Sequence, residues 1–135
     1  MRRIPSAIRE QVRQRANLRC EYCQLPENYV NQRHQIDHIV ARRHDGSDEM
    51  NNLAWACFYC NNGKGSDLSS IDPLTKQPAW LYNPRQQKWD EQFTIDTDGV
   101  IHGKTAEART TIRLLDMNNP QRIELRQLLL DSGIW

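Results

Sequence analysis

Apolar side chains recur every four residues near the N-terminus, at Ile8, Val12 and Ala16. This spacing places the three side chains on one face of a helix. Pro5 suits the first helical position, because an amide hydrogen at that position has no partner within the helix. The pattern therefore predicts a helix over residues 5–17.

The next apolar segments are short and have the character of strands. The sequence HQIDHIV at residues 34–40 favours one strand, and LAWA at residues 53–56 favours a second, buried strand. Residues 41–51 between them are rich in Asp, Asn, Gly and charged side chains, which is typical of a loop. Residues 61–68 predict a short helix that two glycines weaken. The first half of the chain therefore predicts a strand, a loop, a strand and a helix, in that order.

The second half of the chain has a different pattern. Residues 69–91 contain three prolines and predict a loop. Apolar and polar positions then alternate over residues 93–103 around an Asp-Gly pair, which predicts a β-hairpin. Two helices are expected after the hairpin, since Thr105 and Asn119 have side chains that cap helix N-termini.

Composition argues against two classes of protein. The 135 residues are 38% hydrophobic and include four Trp, four Tyr and two Phe, enough for a modest core. The longest apolar run, residues 53–59, is too short to cross a bilayer. Residues 1–15 carry scattered charges and lack the apolar stretch of a secretory signal. We therefore expect a cytoplasmic protein that is neither membrane-bound nor held by disulfides.

The formal net charge of +1 hides an asymmetry along the chain. Residues 1–65 hold ten Lys and Arg against seven Asp and Glu, whereas residues 66–135 hold eight against ten. A basic first half suits a polyanionic partner such as nucleic acid. A solvated helix face would carry the same charges, so this feature alone does not choose between them.

All four cysteines lie in two CxxC pairs, Cys20 with Cys23 and Cys57 with Cys60. Two such pairs supply the four thiolates that a tetrahedral zinc ion prefers. A site closed by four thiolates leaves no position for substrate, so we expect this zinc to be structural. The alternatives are two disulfides or a redox dithiol. The expected absence of secretion, and the lack of a βαβ pattern at either pair, favour zinc.

The residues between and after the two pairs form a second pattern. Asp37 and His38 lie near the end of the first predicted strand, Asn52 precedes the second, and Asn61 directly follows the last cysteine, three residues before Lys64. This order resembles the HNH endonucleases, which have the ββα-metal, or His-Me finger, fold. Members of that family carry these motifs in the same order along the chain: CxxC, Asp-His, Asn-Leu, CxxC-Asn and a helical Lys.

The resemblance covers about residues 15–68. In addition, Asn-Pro-Arg at residues 83–85, followed by Trp89, is similar to a pattern of stand-alone bacterial HNH proteins. The resemblance implies an α+β protein with a ββα-metal HNH core over residues 1–70, which begins with the N-terminal helix and contains a structural zinc site of four cysteines. Residues 71–135 would form a C-terminal α+β extension, a β-hairpin and two helices, packed on that core.

The resemblance also implies a chemistry, the metal-dependent hydrolysis of DNA phosphodiester bonds. His38 would be the general base that activates water, because an imidazole with a pKa of about 6.5 is mostly neutral at pH 7. Asp37 and Asn61 would hold one Mg²⁺ or Mn²⁺ ion, since both metals prefer oxygen ligands. Asn52 would brace the loop and orient the site through hydrogen bonds.

Three basic residues, Arg42, Arg43 and Lys64, would contact the DNA backbone. Two of the other candidate residues have simpler interpretations. His38 could be structural, and Asn61 could serve merely as a cap of the following helix. The competing functions are a non-catalytic zinc-stabilised nucleic-acid-binding module and a thiol redox protein.

Overall fold

The computed structural model describes residues 3–135. Within them, five α-helices alternate with three two-stranded antiparallel sheets, which confirms the predicted α+β class. The helices are α1 (Ser6–Arg15), α2 (Phe58–Lys64), α3 (Trp89–Gln92), α4 (Ala106–Leu114) and α5 (Pro120–Asp131). The strands are β1 (Gln35–His38), β2 (Leu53–Ala56), β3 (Ser69–Ile71), β4 (Pro78–Trp80), β5 (Phe93–Ile95) and β6 (Ile101–Gly103). None of these helices combines the length and the apolar character needed to cross a membrane.

The strand–loop–strand–helix order predicted for the first half is confirmed. Strands β1 and β2 pair antiparallel, with His38 opposite Leu53 at the end that carries the connecting loop. The loop contains two short 3₁₀ turns, Arg42–His44 and Met50–Asn52. Helix α2 follows β2 and packs on β1. The loop and the helix therefore meet at the strand end that carries the Asp-His pair.

Helix α1 ends two residues earlier than its predicted limit. Asn17 and Leu18 adopt positive φ angles of 54° and 61°, a left-handed conformation that does not continue a right-handed helix. The apolar face behaves as predicted, because the buried Val12 packs with Leu53 and Trp55 of β2. This small cluster fixes α1 against the first sheet.

Helix α2 begins at Phe58, three residues before its predicted start. Cys57 caps it, since the Cys57 Sγ accepts a hydrogen bond from the Cys60 backbone N at 3.4 Å. The apolar pattern did not predict this extra first turn of the helix. The backbone there follows the positions of the two cysteine sulfurs and not an apolar face. The helix ends at Lys64, where Gly65 takes a φ of 53° that glycine adopts without strain.

The prediction of a loop over residues 69–91 is wrong in part. Strands β3 and β4 pair antiparallel within it, and α3 begins near its end. Asp72 is buried in the connection between β3 and β4, where Arg109 of α4 donates to both carboxylate oxygens at 3.0 and 2.8 Å. An ion pair between residues that are far apart in the chain leaves no pattern in the local sequence. The sequence therefore did not predict the pairing of β3 with β4.

The hairpin and the last two helices are confirmed together with their caps. Strands β5 and β6 pair across the predicted Asp-Gly turn. The Thr105 hydroxyl oxygen accepts a hydrogen bond from the Ala108 N at 3.1 Å, and the Asn119 Oδ1 accepts one from the Arg122 N at 2.9 Å. Side-chain oxygens at these positions satisfy amides that have no partner within the helix.

The larger apolar core draws on both halves of the chain. It contains the four cysteines and Tyr22 from the first half, with Phe93, Leu115 and Leu129 from the second half. Side chains of the C-terminal elements therefore pack directly against the cysteine cluster. The division of the chain into residues 1–70 and 71–135 stays a prediction.

Candidate metal centre and active site

The four cysteine sulfurs form one buried cluster. The side chains of Cys20, Cys23, Cys57 and Cys60 are each at most 1% exposed, and their sulfur atoms all lie within 4.8 Å of one another. The Cys23 and Cys57 sulfurs are 3.7 Å apart. A disulfide bond is about 2.05 Å long, and all four cysteines are free.

The spacing of these sulfurs suits zinc. A tetrahedral ion with Zn–S bonds of about 2.3 Å has sulfur–sulfur edges of about 3.8 Å. The 3.7 Å separation between Cys23 and Cys57 is close to such an edge. Backbone amides point at the sulfurs as well, since the Tyr22 and Cys23 N both donate to the Cys20 Sγ at 3.4 Å. The cluster therefore fits a zinc ion held by four thiolates.

His38 lies at the end of β1 beside the loop. Its Nε2 is 2.8 Å from the Asp48 Oδ1, and the Arg42 Nε donates to the same oxygen at 3.0 Å. The hydrogen bond with His38, and then that with Arg42, lower the pKa of the Asp48 carboxyl. Asp48 is therefore ionised at neutral pH and holds the Nε2 edge of the imidazole. The sequence did not single out Asp48, because its loop contains several acidic residues with no distinguishing spacing.

Asn52 holds the two ends of the loop together. Its Oδ1 accepts a hydrogen bond from the Val40 N at 2.9 Å, while its Nδ2 donates to the Val40 O at 2.9 Å and to the Ser47 O at 2.8 Å. Asn52 is 9% exposed, so these bonds are largely shielded from water. They fix the loop between His38 and Asp48.

Asp37 lies in the interior, where its side chain is 4% exposed. The Tyr22 hydroxyl donates to the Asp37 Oδ2 at 2.6 Å, and the Lys64 Nζ donates to its Oδ1 at 3.3 Å. The Lys64 ammonium also donates to the backbone O of His38 and of Ile39, both at 3.1 Å. Burial raises the pKa of the Asp37 carboxyl, and the Lys64 charge opposes this. Lys64 is only 2% exposed and lies against Asp37.

Asn61 lies in the first turns of α2 and faces β1. Its Nδ2 donates to the Gln35 Oε1 at 2.8 Å. Gln35 and Asp37 are two residues apart on one strand and therefore lie on the same face of it. Asn61 and Asp37 thus lie on the same side of β1. Their oxygens are the donor type that a hard divalent ion prefers.

The match to a family model decides what this arrangement is. Residues 20–67 match the model described as HNH endonuclease. This segment is an HNH domain. It begins at the first cysteine of the cluster and ends three residues beyond Lys64, so it contains every candidate ligand and catalytic residue considered above. Searches of curated proteins and of solved structures found no match. The predicted family is confirmed, and an HNH domain indicates a nuclease-type function.

One contact with the cysteine cluster comes from outside the HNH domain. The Nη2 of Arg122, on α5, donates to the Cys60 Sγ at 3.0 Å. The side chain is 7% exposed, although arginine is usually a surface residue. The sequence did not indicate this role, because Arg122 lies near the start of a helix and 62 residues from Cys60.

Proposed function

We propose that this protein is a metal-dependent endonuclease that hydrolyses DNA phosphodiester bonds, with His38 as the general base. The hydrogen bond of 2.8 Å between the His38 Nε2 and Asp48 is the observation that carries the proposal. An ionised carboxylate can only accept a hydrogen bond, so Asp48 favours the His38 tautomer that carries its hydrogen on Nε2. The His38 Nδ1 is then the atom with a lone pair, available to take a proton from water.

The surroundings of His38 support its role as a base. Its side chain is 18% exposed, so it is in contact with solvent but held in one orientation. Asp48 stabilises the imidazolium that forms when the proton arrives, and Arg42 and the Asn52-braced loop keep Asp48 in position. A base fixed by a third group recurs in enzymes that activate a nucleophile. We propose Asp48 as a positioning residue for His38.

The oxygens of Asp37 and Asn61 would hold a divalent ion, Mg²⁺ or Mn²⁺. Such an ion, when bound, supplies Lewis-acid stabilisation of the leaving 3′ oxygen. Lys64 already neutralises the Asp37 carboxylate, at 3.2 Å from its Oδ2. Metal binding at Asp37 therefore competes with the Lys64 ammonium. We expect the Lys64 ammonium to weaken the affinity of the Asp37 carboxylate for a divalent ion.

DNA is the proposed substrate, and Arg43 is the best candidate for a phosphate contact. Arg43 is exposed on the loop that follows His38, whereas Arg42 already forms an ion pair with Asp48. Lys64 was predicted to bind phosphate, and its buried position favours Arg43 over it. Phosphate contacts of this kind give affinity with little dependence on base sequence.

One observation favours a second candidate, a zinc-stabilised nucleic-acid-binding module without catalysis. The buried ion pair between Asp37 and Lys64 would serve equally well in a protein that binds no catalytic ion. The two candidates differ in turnover and agree in DNA binding.

Plasmid cleavage separates these two functions. Purified zinc-loaded protein is incubated with supercoiled plasmid and Mg²⁺ or Mn²⁺, and DNA binding is measured in parallel by mobility shift. We expect the wild-type protein to nick the plasmid and His38→Ala to bind it without nicking. His102→Ala is the matched control, because His102 is an exposed histidine on β6. Binding without nicking by the wild-type protein, in either metal, would support the non-catalytic module.

A further inference from the structure

A buried arginine from α5 lies against the sulfur cluster. The Arg122 Nη2 is 3.0 Å from the Cys60 Sγ and 3.9 Å from the Cys57 Sγ. These two sulfurs belong to the second CxxC pair, which forms the start of α2. A hydrogen bond from a charged donor to a thiolate is stronger than one from a neutral amide.

The other side of the same guanidinium is fixed by backbone atoms. The Arg122 Nη1 donates to the Leu115 O at 2.6 Å and to the Asp116 O at 3.0 Å. Both carbonyls lie just after the last residue of α4, where helices leave acceptors without partners. The Tyr59 ring lies 5.5 Å from the guanidinium carbon. The planar fork of Arg122 thus joins the end of α4 to the sulfurs.

The charge of the cluster explains why a buried cation is needed. Four thiolates and one Zn²⁺ ion leave two negative charges in excess. A buried charge without a partner is costly. Arg122 and Arg126, both on α5, are 7% and 2% exposed and line the same small cavity as Cys23. Two buried guanidinium groups balance the excess charge of the zinc-loaded cluster.

We propose that Arg122 is an outer-sphere ligand of the zinc site, through which α5 stabilises the bound metal. The inference depends on the zinc site and not on the nuclease activity. Coupling of this kind is reciprocal, so zinc binding and the docking of α5 strengthen each other. The C-terminal segment is then part of the metal centre, although it lies outside the residues that match the HNH family model.

The test measures how firmly the protein holds zinc. The release of zinc from the 135-residue protein to a chromophoric chelator is compared for the wild type, Arg122→Gln and Arg113→Gln. Arg113 is the matched control, because it is an exposed arginine on α4. Partners of metal ligands typically contribute about 10- to 100-fold in affinity. We expect a loss of that size in Arg122→Gln and no change in Arg113→Gln.

A second measurement separates contact with sulfur from simple loosening of α5. Zinc is replaced by Co²⁺, and the thiolate-to-cobalt charge-transfer band is recorded for Arg122→Gln, Arg122→Lys and Leu129→Ala. Leu129 is a buried apolar residue of α5, so its truncation loosens the helix without removing a donor from sulfur. We expect a shift to longer wavelength in Arg122→Gln, because a thiolate without its donor gives up electrons more easily. Arg122→Lys should shift less, and Leu129→Ala should not shift.

Two results would overturn the proposal. One is an Arg122→Gln protein that folds, releases zinc at the wild-type rate and keeps the wild-type band. The other is an equal band shift in Leu129→Ala and Arg122→Gln, which would make the role of Arg122 structural only. If Arg122→Gln does not fold, the comparison of Arg122→Lys with Leu129→Ala gives the same decision.

Discussion

Replacing Lys64 by Met tests the buried ion pair at the centre of the HNH domain. Lys64 and Asp37 have side chains that are 2% and 4% exposed, so neither charge reaches water easily. The substitution removes a partner 3.2 Å from the carboxylate and the donor to two backbone carbonyls. Breaking a buried pair by removing one partner costs about 3–5 kcal/mol. The Tyr22 hydroxyl remains on Asp37, which favours the lower end of that range.

The effect is measured as a change in melting temperature by calorimetry of zinc-loaded protein. For a chain of this size, about 3–4 kcal/mol corresponds to a fall in Tm of roughly 10–20 °C. Lys104→Met is the control, because the Lys104 side chain is exposed and its ammonium donates to a backbone oxygen, the Asp90 O, at 2.8 Å. Adding Asp37→Asn to Lys64→Met should recover part of the loss, since no unpaired charge then remains buried.

A divalent ion provides a further readout on the same variants. If Asp37 binds the ion, Mn²⁺ should raise the Tm of Lys64→Met more than that of the wild type, because the competing ammonium is gone. A Lys64→Met protein as stable as the wild type would refute the reasoning about the buried pair. The same would follow from equal losses in Lys64→Met and Lys104→Met.

Three further predictions concern the cysteine cluster and the loop. Cys57→Ser should abolish stoichiometric zinc binding and the cooperative unfolding transition, because binding free energy contributes to folding here; elemental analysis and circular dichroism test this. Asn52→Ala should lower the free energy of unfolding by about 2–3 kcal/mol, since three partly buried hydrogen bonds are lost. Asn51→Ala, at an exposed neighbouring position, should change it little, and equal urea midpoints for both variants would contradict the bracing role. Asp48→Asn should lower kcat with little change in DNA affinity, whereas Glu49→Gln should alter neither; a loss of DNA affinity with unchanged kcat would assign Asp48 to binding.

Features that depend on neighbouring residues were predictable from the sequence. The spacing of each CxxC pair, the caps at Thr105 and Asn119 and the Asp-Gly turn all act within a few residues. Their chemistry is therefore visible in a short window of sequence. The order of the Asp-His pair, Asn52 and Asn61 also identified the family, which the match over residues 20–67 confirms.

The missed contacts join residues that are distant in sequence. Asp48 lies 10 residues from His38, Lys64 lies 27 from Asp37, and Arg122 lies 62 from Cys60. Each pair forms only when the loop, α2 or α5 packs in place. A lysine on a short helix looks like a surface residue in the sequence. The Lys64 ammonium is buried against the Asp37 carboxylate only because α2 packs on β1.

Cleavage of a labelled DNA duplex by the zinc-loaded protein tests the central claim most directly. The single-turnover rate with Mg²⁺ or Mn²⁺ is compared for the wild type and His38→Ala, each with one zinc per chain, and product masses identify the ends. We predict that the wild type leaves 5′-phosphate and 3′-hydroxyl ends. Because a general base typically contributes about 10²- to 10⁴-fold, His38→Ala should be slower by at least about 100-fold. Equal rates for the two proteins, or no cleavage by the wild type in either metal, would contradict the account.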